Sequence, residues 1–411
     1  MAATAVLIGS VALATPAIRT AVVPARTAGS QAGDQGPGLT IPSGGDSART
    51  RSQRPTSVAR LFAWGGNELG QMTGDGRVRR APESVVDLDE ATSVAAGAYH
   101  TLATIGGVVR AWGSNAYGQL GDGTTVDHRR PVRVSAVDDV TVVAAGRLHS
   151  LVLRSDGTVW AWGRNDRGQL GDGTTVDRPR PARVGGLDKV VALAAGRIHS
   201  LAVRSDGTVW AWGGNDDADG MFTGQTGSDT GPDQTRPVMV ADLTDVQVVA
   251  AGNGDYSLAV RSNGTVWAWG DNSRGQLGDG TTGTRWKPAP VPGLGRIVKV
   301  AGSATHTVAV DADGTVWSWG ENGAGALGDG TTASRLSPVK LDLPAATSVA
   351  CGLHHTLART RDGAVWAWGD NSDGQLGDGT NVSRVAPVKV SGVSGATAVS
   401  AGVAHSVAVG F

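Results

Sequence analysis

Cysteine is almost absent from this chain: among 411 residues there is one, Cys351. A lone thiol excludes an internal disulfide framework and any zinc cluster built on cysteines, so stability has to come from burial and strand pairing. Phenylalanine and tyrosine are scarce, with 3 of each, and lysine supplies 5 of the 36 basic residues. The formal net charge is -1. With neither sign in excess, nothing draws the chain wholesale to nucleic acid or to an anionic membrane. Long apolar runs are missing too. The longest, residues 2–17, falls short of the roughly 20 residues of a spanning helix. Glycine (62) and tryptophan (13) are abundant instead, which points to many turns around one recurring indole motif.

The N-terminus differs in kind from the rest. Its Ala-, Val-, Leu- and Ile-rich stretch is followed by small-residue sites at Ala12 to Ala14 and Val23 to Ala25. We read 1–25 as a secretory signal peptide, although no Lys or Arg precedes the apolar stretch. Residues 26–58, rich in Gly, Ser, Pro and Arg, read as a flexible linker that buries nothing. The expected location is therefore outside the cell or in its envelope, with the cytoplasm as the alternative.

From residue 59 onward a strand ending in Trp-Gly recurs at Trp64, Trp112, Trp162, Trp212, Trp269, Trp319 and Trp368, with spacings of 48, 50, 50, 57, 50 and 49. A second motif, Ala-Gly-x-x-His-Ser/Thr or a variant, recurs with its glycine at Gly97, Gly146, Gly196, Gly252, Gly302, Gly352 and Gly402. A period near 50 with short alternating apolar runs and no helical periodicity predicts an all-β, seven-bladed β-propeller over 59–411.

One repeat shows how a blade is built. Val142 to Ala145 is the innermost strand, kept small because converging blades leave little room. His149 to Leu153 is the second, and Asp156-Gly157 predicts a type I′ hairpin. In the third, Val159-Trp160-Ala161-Trp162, period 2 puts both indoles on one face, against a neighbouring blade. The outer strand begins around Pro181, tolerated because it is an edge. The chain starts with a third strand (Leu61 to Trp64) and an outer strand (Glu83 to Leu88), and ends with a first and second strand (Ala396 to Val409). Neither end makes a blade alone, so the closing blade is expected to be composite.

The segments Ala145-Gly146-Arg147-Leu148-His149-Ser150-Leu151, Asp156-Gly157-Thr158-Val159-Trp160-Ala161-Trp162-Gly163 and Asn165-Asp166-Arg167-Gly168-Gln169-Leu170-Gly171 resemble the repeat of the regulator of chromosome condensation family, over about 350 residues. The resemblance implies a family that recognises proteins with propeller loops, and the N-terminal signal together with 31 Arg against 5 Lys makes a bacterial, exported member the expectation. That family includes a nuclear guanine-nucleotide exchange factor, a plant ultraviolet-B photoreceptor and a secreted inhibitor of β-lactamase. Photoreception would require tryptophans just before the repeated histidine. Those positions hold Tyr99, Leu148, Ile198, Thr305, His354 and Ala404.

A residue present in every blade builds blades, whereas catalysis needs a group at one place. His100, His149, His199, His306, His355 and His405 occupy equivalent positions, with Tyr256 in the seventh. They are expected to bond backbone inside each blade rather than to ring a metal. The aspartates of the Gly-Asp-Gly loops are expected to cap loop amides, since no Asp-x-Asp-x-Asp spacing supports calcium. Gly323-x-Gly325-x-x-Gly328 matches a dinucleotide fingerprint in wording only, because no helix follows. No catalytic residue, metal or cofactor is expected, and a monomer is.

Function is then sought where the repeat breaks. Asn215 to Gln234, after Trp212, replaces the standard loop and adds about seven residues, including Asp216, Asp217, Met221 and Phe222. In an up-and-down blade this insertion shares a face with Arg147, Arg164, Arg167 and Arg197. An acidic, aromatic-tipped loop beside a basic group suits a protein partner. Trp286 is read as a further anchor, in a loop on the same face. The leading reading is a non-enzymatic recognition or inhibitor propeller; guanine-nucleotide exchange on a small GTPase and carbohydrate or cell-wall binding are the alternatives.

Overall fold

The computed structural model describes residues 7–8, 11–13 and 58–411, except 217–219, 228–230 and 232. Residues 58–411 form seven four-stranded antiparallel sheets arranged as the blades of a propeller. The first blade comprises Ser93–Ala96, His100–Ile105, Val108–Gly113 and His128–Arg133. The second comprises Val140–Ala145, His149–Arg154, Val159–Gly163 and Arg178–Arg183. Four more follow, each leading with its innermost strand: Val190–Ala195, Val246–Ala251, Ile297–Gly302 and Ala346–Cys351. The seventh is composite: Ala398–Ala401 and His405–Gly410 pair with Arg60–Gly65 and Arg79–Ser84. Its outer strand lies several residues before the expected 83–88, because Gly65, not Trp64, pairs with Arg79 across a bulge.

The expected leader and linker lie mostly outside the described residues. Leu7–Ile8 and Val11–Leu13 form a short antiparallel pair, and Val11–Leu13 also pairs with Ala192–Ala194 of the third blade.

Alternation along each strand sends side chains to the two neighbouring blades in turn. Val142, Ala144 and Leu151 face Leu193 and Ala195, while Val143, Ala145 and Val152 face Ala95 and Leu102. The innermost strands carry Ala, Val and Ser because seven must converge on one axis. The seven Trp-Gly tryptophans are fully buried; each burial is worth roughly 4–6 kcal/mol before entropy is counted. The outer strands are blunted as edges. Pro82, Pro131, Pro181, Pro237, Pro288, Pro338 and Pro387 sit at one equivalent position, where the missing N–H discourages pairing with another chain.

The hairpins are not type I′. Gly157 has φ +79° while Asp156 stays out of the left-handed region, and Gly157 N donates to Arg154 O at 3.0 Å. This is a type I turn closed by a left-handed glycine. Asp156 earns its place by accepting the Thr158 amide at 3.0 Å. The first blade is the exception: Gly106 and Gly107 both have positive φ and form a true two-residue I′ loop.

The repeated histidines lock blade to blade rather than bonding backbone within a blade. His149 Nε2 lies 3.0 Å from Ser200 Oγ of the next blade, and Ser200 donates its hydroxyl to Gln169 O at 2.9 Å. Trp212 Nε1 donates to the same carbonyl at 2.9 Å. Since the serine has one proton and spends it on Gln169, the imidazole is the donor and Nε2 carries the hydrogen. The unit recurs around the ring: His100 with Ser150, His199 with Ser257, His306 with Thr356, His355 with Ser406 and His405 with Thr101. Tyr256 makes the corresponding link differently, donating its hydroxyl to His306 O of the next blade at 2.7 Å while lying 2.9 Å from Thr307 Oγ1. Last blade thus bonds first, closing the circle. Burial pushes five of these imidazoles down to about 3 and His355 to about 4, so all are neutral near pH 7.

The glycine before each histidine is there because the ring packs on it. A Cβ at Gly146 would stand 2.4 Å from His149 Cε1 and 2.6 Å from Gly196 O. The fifth blade departs from the expected series. Strand register places Gly302 with Ala145, and Ser303 takes the glycine's place, its Oγ 2.7 Å from His306 Nδ1.

Candidate functional site

Turns between first and second strands and loops between third and outer strands emerge on one face. Each loop is held by a buried asparagine. Asn165 accepts the Leu170 amide and donates to Thr174 O and Val176 O at 2.9, 3.0 and 3.1 Å. The Gly-Asp-Gly aspartates cap amides as expected. Asp172 accepts Thr174 N at 2.9 Å and pairs with Arg178, and Asp279, Asp329 and Asp378 repeat this with Arg285, Arg335 and Arg384. The hydrogen bonds from threonine, together with the arginine, keep these carboxyls below the usual carboxylate range despite their partial burial.

At the centre of this face is a mouth of about 440 Å³, lined by Tyr99, Arg147, Arg197, Asp255 and Asp271 among others. Arg197 and Asp255 form a two-point pair between the third and fourth blades, Nε to Oδ1 at 2.9 Å and Nη2 to Oδ2 at 2.8 Å. Arg147 is exposed beside them.

The insertion in the third blade keeps the frame of the loop it replaces. Asn215 Oδ1 accepts Thr226 N at 3.1 Å, the role played by Leu170 in the second blade. Six of the seven extra residues therefore lie between Asn215 and Thr226. The seventh is not in this loop: it lengthens the turn of the fourth blade, where Ala251 pairs with Ser257 while Ala145 pairs with Ser150. Asp216 and Phe222 bridge across the base of the insertion.

The expected basic group is only partly brought together. Arg147 and Arg197 share the mouth. Arg167 reaches the insertion and is held there by Asp216 and by Asp233, the latter at 2.6 Å. Arg164 pairs with Asp166 at 2.6 Å and lies 5.2 Å above the Tyr117 ring. Acidic loop and basic side chains do meet, but they largely neutralise each other. Asp217 lies outside the described residues.

Two expectations are corrected. Phe222 is half-buried, packed on Trp286 with ring centroids 5.5 Å apart. Trp286 is not in a loop but is the second residue of the outer strand Arg285–Pro290. At this position every blade covers the preceding blade's loop: Trp286 lies over Gly224 as Pro179 lies over Gly118. What remains is a surface with Met221 69% and Trp286 49% exposed around a half-buried Phe222. Sequence reasoning missed Asp255, Asn253 and Tyr99 at the mouth. The lengthened turn after Ala251 was the available signal.

Among the described residues no three His, Cys, Asp or Glu side chains converge as a metal site, and no helix is long and apolar enough to cross a membrane.

The family pattern described as the RCC1-like domain matches residues 130–410, and the regulator of chromosome condensation repeat matches 59–104 and 91–119. This chain belongs to the RCC1-like domain family. The ultraviolet-B receptor UVR8 of Arabidopsis thaliana is 33% identical over 241 residues, covering 57% of this chain and 42% of the receptor. The probable E3 ubiquitin-protein ligase HERC3 of Homo sapiens is 32% identical over 249 residues, covering 57% of this chain and 18% of the ligase. The chain thus spans less than half the length of these curated relatives. The human WBSCR16 structure superimposes with a TM-score of 0.76 at 27% identity, covering 86% of this chain and 98% of that one. Prp20p from Saccharomyces cerevisiae shares the fold with a TM-score of 0.76, over 87% and 92% of the two chains.

Proposed function

We propose that this RCC1-like propeller is a non-enzymatic, exported recognition protein of bacterial origin that holds a protein partner on its loop face. The observation that carries the reading is the break in the repeat at the third and fourth blades. There an insertion, a lengthened turn and an outer-strand tryptophan fall together: Met221 and Trp286 are exposed, and the lengthened turn brings Asn253 and Asp255 to the mouth that also bears Arg147. Exposed aromatic, thioether and guanidinium side chains are the composition of interface hot spots. The residues repeated in every blade are used up in holding blades together, which leaves the irregular segments to specify a partner. Export rests on the apolar N-terminal stretch alone.

The test is a triple variant, Met221→Ala, Trp286→Ala and Arg147→Glu. Arg197 is left alone because reversing it would set a carboxylate against Asp255. Wild type and variant are immobilised and challenged with the medium and envelope fraction of the producing organism, and captured proteins are identified by mass spectrometry. A captured partner should bind the variant at least about thirtyfold more weakly, with thermal unfolding unchanged. Equal capture by both would place recognition elsewhere. The exchange-factor reading has one point in its favour, 31% identity over 119 residues to a secretion-regulating guanine nucleotide exchange factor of Bos taurus. It predicts accelerated nucleotide release from a small GTPase.

A further inference from the structure

The indole that precedes each Trp-Gly tryptophan by two residues varies around the ring. The second to sixth blades carry Trp160, Trp210, Trp267, Trp317 and Trp366, half-buried, and the seventh carries Phe62. The first blade has Arg110. At this point two adjoining hollows of about 690 and 450 Å³ open between the seventh and first blades, sharing Val86, Asp87 and Arg110. The equivalent hollow between the third and fourth blades, where Trp267 stands in place of Arg110, holds about 270 Å³. The cleft runs along the outer wall from the loop of the seventh blade, at Thr73 and Gly74, to the hairpin of the first, at Ile105 and Val108.

Its charge is net positive. Arg60, Arg110, Arg130 and Arg133 line it against Asp87 and Asp89. Arg133 is paired with Asp138 at 2.9 Å. The guanidinium groups of Arg60, Arg110 and Arg130 have no hydrogen bond or ion pair among the described residues. Arg110 is half-buried and sits directly across the strand pair from Arg133. Like charges directly opposite destabilise a sheet, and a half-buried cation with no ion pair is costly. Between the arginines the floor is apolar, with Val85, Leu88 and Pro131 below a Val86 that is 73% exposed.

We propose that this cleft is a docking groove for an extended acidic segment of a partner protein, one that alternates carboxylates with aliphatic side chains. The arginines take carboxylates in the two-point geometry that guanidinium favours, and the apolar floor takes the aliphatic groups. A small inorganic anion would use one or two arginines and leave the floor and most of the volume empty. The length of the groove and the spread of its cations favour a peptide. The site lies on the outer wall between the seventh and first blades, apart from the insertion of the third, and does not depend on the loop-face reading.

The test replaces Arg110 with the residue of five other blades. Arg110→Trp fills the cleft, removes the central charge and should leave melting unchanged or raised. A random twelve-residue phage library is panned on the immobilised full chain, and the leading peptide is synthesised and measured by fluorescence anisotropy. Wild type should enrich sequences mixing Asp or Glu with Leu, Ile or Val, and R110W should lose that enrichment and bind the selected peptide at least about tenfold more weakly. The Met221→Ala, Trp286→Ala, Arg147→Glu variant should bind it as wild type does, which separates this groove from the loop face. Failure to enrich acidic sequences, equal binding by R110W, or full displacement of the peptide by millimolar tripolyphosphate with no contribution from its aliphatic residues would each overturn the proposal.

Discussion

Acidification should unfold this propeller through its histidines well before its carboxylates matter. Six imidazoles are fully buried, each donating from Nε2 to the next blade, and burial holds them at about 3 to 4 against an ordinary value of 6.5. Because the folded values are depressed, the stability they contribute is complete above pH 6.5 and is lost as pH falls towards 4. At pH 5 each group that is protonated in the unfolded chain but neutral in the folded one costs about 2 kcal/mol, at 1.36 kcal/mol per unit. Six together cost about 12 kcal/mol, comparable with the whole stability of an ordinary domain. Protonation without unfolding offers no escape, since Nδ1 of His100, His149, His199, His355 and His405 is buried without a partner. The loop aspartates, whose values lie below the ordinary 3.8, come into play only at lower pH. Urea unfolding at pH 7.5, 6.5, 5.5 and 5.0, followed by tryptophan fluorescence, should show a slope steepening to about 8 kcal/mol per pH unit near pH 5. His149→Gln keeps a donor for Ser200 and should reduce that slope by about one sixth. Stability that stays flat between pH 7 and 5 would refute the locked, neutral ring.

Two further outcomes test the same architecture. Gly146→Ala drives a Cβ into His149 and the Gly196 carbonyl, so it should cost about 3 kcal/mol in urea unfolding, far more than alanine at Gly323, which is open and has no positive φ. Deleting Ser406 to Phe411 removes a strand that pairs with both Ala398–Ala401 and Arg60–Gly65. The truncated chain should therefore lose its cooperative thermal transition rather than melt a few degrees lower.

The sequence alone determined that seven similar modules exist and that the ends must combine. A fifty-residue period, period-2 strands and turn residues are local properties, and each is fixed by chemistry within a few residues. It also separated masonry from candidates, because the repeated histidines and tryptophans announce themselves by recurring. It did not show that His149 serves Ser200 fifty-one residues on, since nothing local distinguishes a bond inside a blade from one to the next. Nor could it place Trp286. The spacing hid an outer strand whose start is set by the bulge after Ala268, and the seven extra residues could be divided between two loops only once strand register was known. Tertiary structure alone decided which charges are spent. Arg167 and Arg197 look like Arg110 and Arg147 in the sequence, but two are satisfied across blade boundaries and two have no side-chain partner among the described residues, because the ring sets side by side residues that the chain keeps about fifty apart.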